Sequence, residues 1–514
     1  MRYYKYLFFL ALVTLFSFIL FLSKNSKYNN IYFYDDKEYG ELMDNVYTSK
    51  ERNIHIINSI SVNNNYCSYD INTDSFLCYL ENIDNRNFSL KVDSNLDYSL
   101  FSNINFNISN FETANIVMYT KKYYYVINLK FTNLPIMSVK SLPKISKEKL
   151  EFSDVVSSLN LDKTDESKKV YDASDSYISL IENNHSVIYS KANLQIRGHD
   201  SSIYDKKSYK LSLMKKEKNI LVKNNIKLLG MYKDDDWVLD AMYIDYSKIR
   251  NKLSSDLWRM ITDQNILNGN YVELFIDNDY KGLYLLKEFI NKESLNLENN
   301  GSLFKAVLYL TVDDTNINYV HDKYFLLKNP DFSNNSSNHI LNVLDNYYSC
   351  ISTDCDISDL ILNEYDIDNF LNYKVFISLI KGVDNNEHNN YYLAMANNNS
   401  KIIKVPWDMD LSFGFTFLRK NDYQDVKNMG FVLYYENSPV LNNLIKERYW
   451  DVRRNKLSPE DLKVLVDTYK NEIMNSGSLY RDSERWNVDV KESEFDNIID
   501  WIYKRFEFLD EFYR

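Results

Sequence analysis

From Ile54 to about Val139 the apolar residues come in short alternating runs broken by Asn, Asp and Ser. Ala114–Thr120 (ANIVMYT), Tyr123–Phe131 (YYYVINLKF) and Leu134–Val139 (LPIMSV) are examples. A period of two with closely spaced turn residues predicts short strands stacked as an Ig-like β-sandwich. Beyond Val170 the pattern lengthens and mixes. Val187–Gly198 and Lys206–Met214 read as strands, whereas Ile249, Leu253, Leu257 and Met260 lie at helical spacing. Asn270–Ile276 and the run ending at Ile290 flank the turn sequence NDYKG and predict a hairpin. After residue 340 the pattern is mainly helical, apart from NYYLAMA and KIIKVPWDMD. The expected fold class is α+β. Residues 28–140 form a β-sandwich accessory domain, and 141–514 a second domain that starts with a charged, helix-prone connector.

One segment stands outside this scheme. Leu7 to Leu22 is uninterrupted by charge and, with Tyr6 and Ser23, is long enough to cross a bilayer. No small-x-small cleavage site follows it, so residues 1–27 are expected to be a retained signal anchor in preference to a cleaved signal. The rest of the chain would then lie outside the cytoplasm, at the cell surface, or be secreted if the signal were cleaved. The four cysteines agree with export. Cys67 and Cys78 flank a hairpin-like polar segment and Cys350 and Cys355 are five apart, which predicts two local disulfides.

Composition narrows the function. With 45% hydrophobic and 26% charged residues among 514, the chain can bury large cores. A net charge of −12 argues against nucleic acid as a partner, since a nucleic-acid binder needs a basic footprint. A basic acceptor protein is compatible with it. Only 10 glycines and 6 prolines are present, so each carries weight, whereas Asn runs carry little.

Three stretches carry chemistry. In KIIKVPWDMDLSFG, Asp408 and Asp410 are two apart, and an extended backbone would point both to one face. Paired carboxylates repel, and a hard divalent cation relieves that repulsion. In GVDNNEHNNYYLAM, Asp384 lies in a loop between a helical run and a strand, followed by several Asn. An Asp, then an Asn, then a strand ending in Asp is the order of a phosphotransfer site, where one Asp orients the attacking hydroxyl and the others hold metal. In LQIRGHDSSIYDKKSYKLSL a Gly turn is followed by lysines. Lys207 shares the apolar face of Tyr209, Leu211 and Leu213, so it is preferred over Lys210 as an inward, phosphate-binding lysine.

Together the stretches RGHDSS…KKSYKL, IRNKLSSDLW, YVELFIDNDYKGLYLLKE, DNNEHNNYYL and VPWDMDLSFG resemble the CotH kinase family in order and spacing, over about Ala192 to Phe415. The resemblance implies a kinase-like two-lobed domain over 141–514 that transfers phosphate from ATP, with Mg²⁺ or Mn²⁺, to Ser or Thr of a protein acceptor. It implies Asp384 as catalytic base, and Asp408, Asp410 and Asn390 around the metal, with Asn389 close behind. Arg197, Lys207 and Lys210 would face the phosphates, and Glu288 the adenine-side hinge. Arg250 would stabilise the lobe or pair with an active-site acid. His199, Asp200 and Asp205 depart from the family's phosphate loop. The alternative expectation is a non-catalytic exported scaffold or adhesin that keeps the fold.

Overall fold

The computed structural model describes residues 31–81, 88–103, 113–141, 170–171, 176–182, 186–198, 200–307, 319–320, 325–329, 335–385, 389–416, 423–424, 427–428, 431–432, 435 and 437–514. The hydrophobic segment at 7–22, His199, His388 and most of the connector lie outside them. Among the described residues no helix is long and apolar enough to cross a membrane. The chain is a mixed α+β protein, as the periodicities predict.

The first unit opens on strand Ile31–Tyr34 and a helix, Asp36–Ser49. Asp35 caps that helix by accepting from the Glu38 amide. The strands behind it make a seven-stranded and a three-stranded sheet. They enclose a core of Ile60, Val62, Ile116, Ile127 and Leu129. Tyr123–Thr132 is antiparallel to Ala114–Tyr119 but parallel to Ser75–Tyr79. An Ig-like sandwich is built mainly of antiparallel pairs, whereas three strand pairs among the described residues of this unit are parallel. Cys67 and Cys78 are disulfide-bonded within this unit, and Cys350 is bonded to Cys355 further on, both as predicted.

The second unit starts with a strand that the sequence grouped with the first. Ile136–Ser141 (β1) pairs antiparallel with Ser176–Ile181 (β2) and parallel with Gly269–Ile276 (β6). The ladder continues from β2 to Val187–Arg197 (β3) and from β3 to Ser208–Glu217 (β4). It then runs from β4 to Asp236–Asp240 (β5), from β5 to Asp279–Glu288 (β7), and from β7 back to β6. Seven strands therefore close into a ring. Residues of one alternation phase fill it, among them Leu180, Leu194, Leu211, Leu213, Trp237, Leu239, Val272 and Leu286.

Beside the barrel, a second sheet holds Ser302–Ala306 (β8), Phe325–Asn329 (β9), Tyr391–Met395 (β10) and Ile403–Pro406 (β11), in the order β9-β8-β10-β11. Helices Arg250–Thr262 (α1), Asn335–Thr353 (α2), Ile367–Ile380 (α3), Pro439–Asn455 (α4), Pro459–Asn475 (α5), Ser478–Trp486 (α6) and Ser493–Phe512 (α7) surround it. They share one core with it, containing Trp258, Phe304, Phe376, Tyr391, Trp407, Trp501 and Phe506.

Buried ion pairs join these bodies. Arg481 on α6 reaches Glu273 on β6 and donates to the Phe131 carbonyl of the first unit at 3.4 Å. Lys206 is fully buried and donates to Asp482 on α6 at 2.6 Å and to the Leu283 carbonyl at 2.6 Å. Asp482 also accepts from the Leu283 amide at 3.0 Å. Gly282, at φ +99°, leaves the room this contact needs, because a methyl group there would run into the Asp482 carboxylate.

Candidate functional site

Two loops meet at the end of the second sheet. α3 is apolar nearly all round and buried along its length, so its register is fixed by packing. Asp366 caps it by accepting from the Asn369 amide at 2.9 Å. Asn369 then bonds both the carbonyl and the amide of Lys404 on β11, at 3.0 and 2.7 Å. The helix ends on Lys381 in the left-handed region, and Gly382 follows. The loop after it is stitched to the loop after β11. Val383 donates to the Leu411 carbonyl at 3.2 Å, Phe413 to the Ile380 carbonyl at 2.8 Å, and Trp407 to the Asn390 carbonyl at 3.0 Å.

This brings Asp384 and Asn390 to the loop that carries Asp408. The Asp384 carboxylate accepts from the side-chain amides of Asn390 at 2.6 Å and Asn389 at 3.0 Å. Asn390 sits at φ +56° and Asp408 at φ +55°, a region that Asn and Asp tolerate better than other side chains. The expected extended Asp408–Asp410 strand is not what forms. β11 stops at Pro406, and the backbone turns at Asp408. Asp410 therefore follows Asp408 across a turn and not along a pleated strand. Burial, and then Asp408, Asp240 and Asp245, push the Asp410 pKa well above the ordinary carboxylate value, with Lys287 opposing.

Asn385, which the sequence reading passed over, is the buried clip between the two loops. Its amide donates to the Asn390 and Trp407 carbonyls, each at 2.7 Å. Asn385→Ala strands two buried carbonyls and is expected to cost about 2 kcal/mol. Urea unfolding measures this; an unchanged midpoint would contradict the clip.

The barrel supplies the facing wall. Asp240 accepts from Lys287 at 3.2 Å, from Asn251 of α1 at 2.7 Å and from the Met242 amide at 3.0 Å. Burial pushes its pKa up, but Lys287, the Met242 amide and Arg197 outweigh that and hold it below the ordinary value. Lys287 lies 4.7 Å and Arg197 5.5 Å from the centre of the Trp407 ring, so both cations lie against that aromatic side chain. Arg250 ties the far side, bonding Asp245 at 2.5 Å, Glu494 at 3.2 Å and the Ser412 carbonyl at 3.2 Å.

Contrary to expectation, Lys207 does not share the apolar face of β4. β4 begins at Ser208, so the turn before it resets the alternation. Lys206 is the buried lysine, and the Lys207 amine bonds the Ser202 carbonyl at 2.8 Å. Lys210 pairs with Asp236 at 2.8 Å and lies 5.1 Å from the centre of the Phe289 ring. Glu288 is buried, and accepts from the Tyr232 amide at 2.8 Å and from the Asn268 amide at 3.0 Å. It braces the end of the barrel through those amides. Gly198 takes φ +97° directly after Arg197, as a turn there requires.

Two further cations come from the second sheet. Lys305 on β8 is opposite Tyr392 on β10 and Leu326 on β9. Lys328 is exposed and lies where the β8–β9 register shifts, opposite the step from Leu303 to Phe304. Tyr392 is in turn 5.6 Å from the Trp407 ring. Burial, and then Arg197, hold Lys305 down to about 8; Asp408 pulls the other way, and Lys328 and Lys287 add to the lowering. Burial of its stem, and then Lys210 and Arg197, lower Lys328.

Among the described residues no three or more His, Cys, Asp or Glu side chains are grouped to hold a metal ion. The donor set still fits a small hard cation, which is held by one or two carboxylates and completed by water and phosphate oxygens. The crowding of carboxylates around Asp410 is the feature such an ion would relieve.

The class this defines is an α+β protein in which two joined acidic loops meet cationic side chains of a closed barrel. Residues 194–509 match the family model described as CotH kinase protein. That match covers more than half of the chain, and the chain belongs to the CotH kinase family. No curated protein matches it.

Proposed function

We propose that the chain is an ATP-dependent protein kinase of the CotH type, acting on Ser or Thr of protein acceptors outside the cytoplasm. The carrying observation is the Asp384 carboxylate, held by Asn389 and Asn390 on a loop stitched to the one bearing Asp408 and Asp410. In this reading the barrel and the sheet-and-helix body are the two lobes, and the cleft between them takes the nucleotide.

Asp384 orients an acceptor hydroxyl and accepts its proton. Asn389 and Asn390 fix its plane, so little reorganisation is needed on transfer. Asp408 and Asp410, with the Asn390 side-chain oxygen, would hold Mg²⁺ or Mn²⁺. When bound, such a cation neutralises charge on the phosphates. Lys287 is positioned by Asp240, and with Arg197 it supplies fixed positive charge across the cleft. Two disulfides support an oxidising location. The hydrophobic segment at 7–22 would supply the tether to the membrane.

The test is transfer of label from γ-³²P-ATP, with Mg²⁺ or Mn²⁺, to the protein itself or to a basic Ser-rich peptide. The expected result is acid-stable label that is lost with EDTA. No label, together with no nucleotide binding by calorimetry, would leave the scaffold reading in its place.

A further inference from the structure

Lys305 and Lys328 are not part of the family-derived site, yet Lys305 is opposite Tyr392, whose ring is 5.6 Å from that of Trp407, and Lys328 lies at the bulge of the adjoining strand β9. Their sequence neighbours are apolar and buried: Phe304 and Ala306 beside Lys305, and Leu327 beside Lys328. Lys305 is half-buried, so its amine gains from an anionic partner, and Lys328 is exposed and open to one. Among the described residues neither Lys305 nor Lys328 has a carboxylate within ion-pair distance, and Arg197 opposite them has none either. By contrast Lys210 has Asp236 and Lys287 has Asp240. Arg197 thus approaches Trp407 from β3 on one side and Lys305 approaches it through Tyr392 from β8 on the other, with Lys328 on the neighbouring strand β9.

We propose that Lys305 and Lys328, with Arg197, form the receiving wall for the polyphosphate chain of a nucleoside triphosphate. This rests on the phosphotransfer reading above and extends it. The sheet body, and not only the barrel's glycine turn, grips the phosphates. Recognition is then governed by phosphate number more than by the base. A triphosphate spans both sheets, whereas a monophosphate reaches one.

Binding of ATP, AMP and inorganic tripolyphosphate to the full-length protein, measured by calorimetry, tests it. Lys305→Met and Lys328→Met are each expected to weaken ATP and tripolyphosphate about tenfold, since a charge-assisted contact is lost. The double variant should lose about a hundredfold, and Lys305→Arg should recover most of the single loss. Thermal melts confirm that each variant is folded. Wild-type affinity for ATP in the folded double variant would overturn the proposal, as would tripolyphosphate failing to bind the wild-type protein. Tripolyphosphate binding that depends on both lysines would uphold the wall even if no phosphate were transferred, which separates its failure from that of the kinase reading.

Discussion

Asp384→Ala is expected to reduce phosphate transfer by about a thousandfold or more, with nucleotide affinity changed by no more than about threefold. The two effects separate because the residues separate. Asp384 is held by Asn389 and Asn390 at the end of α3. The cations around Trp407 lie on the barrel and on the second sheet. Removing the carboxylate takes away the proton acceptor and frees both amides. It leaves Asp408, Asp410 and the cationic wall in place, because the loop is tied by backbone bonds and by Asn385. The loss therefore belongs in kcat. Single-turnover labelling measures it, and calorimetry with ATP supplies the control. Full activity in Asp384→Ala would end the assignment of a catalytic base.

The largest effect on stability is expected at Asp482. Asp482→Ala leaves Lys206 buried without its anion and Lys248, 3.8 Å away, without its only nearby carboxylate on α6. Breaking a buried pair from one side costs about 3–5 kcal/mol. Replacing both members, as in Lys206→Met with Asp482→Leu, should recover much of that. Burial holds Lys206 down to about 8 against the pull of Asp482, while an unfolded lysine titrates near 10.5. Between these values the unfolded chain binds more protons than the folded one, so the Lys206 contribution to stability rises with pH across that window and is flat below it. Urea midpoints of the wild-type protein and Lys206→Met, compared at pH 7 and pH 9.5, read this directly. The wild-type protein should gain on the variant at the higher pH, and a constant gap would contradict it.

Much of the site was legible in order and type. Asp384, Asn390, Asp408 and Asp410 come together because short-range signals mark their loops: the end of an apolar helix, a Gly, and a Pro that stops a strand. The disulfides were legible for the same reason, since each closes a short loop. Lys207 was misjudged because alternation was extended one residue past the true strand start, and a turn resets the phase there. Lys305 and Lys328 were not legible. Their significance depends on β8 pairing with both β9 and β10, far apart in the chain, and nothing near either lysine marks that pairing. Ring closure was hidden likewise, because periodicity reveals a strand and its buried face but not its neighbours.

The closed ring bears on how this family should be handled at the bench. The matched region starts at residue 194, inside β3, whereas β1, β2 and most of β3 come earlier in the chain. A protein trimmed to that span would be a barrel missing staves. The rim of β6 that pairs with β1, and Ser212, Leu213 and Met214 of β4, which pair with residues 193, 192 and 191 of β3, would be left as open hydrogen-bonding edges over an apolar lining, a template for sticking to other copies. The smallest piece expected to stay soluble as a single chain begins before Leu134, and the homologous core is shorter than the folding unit.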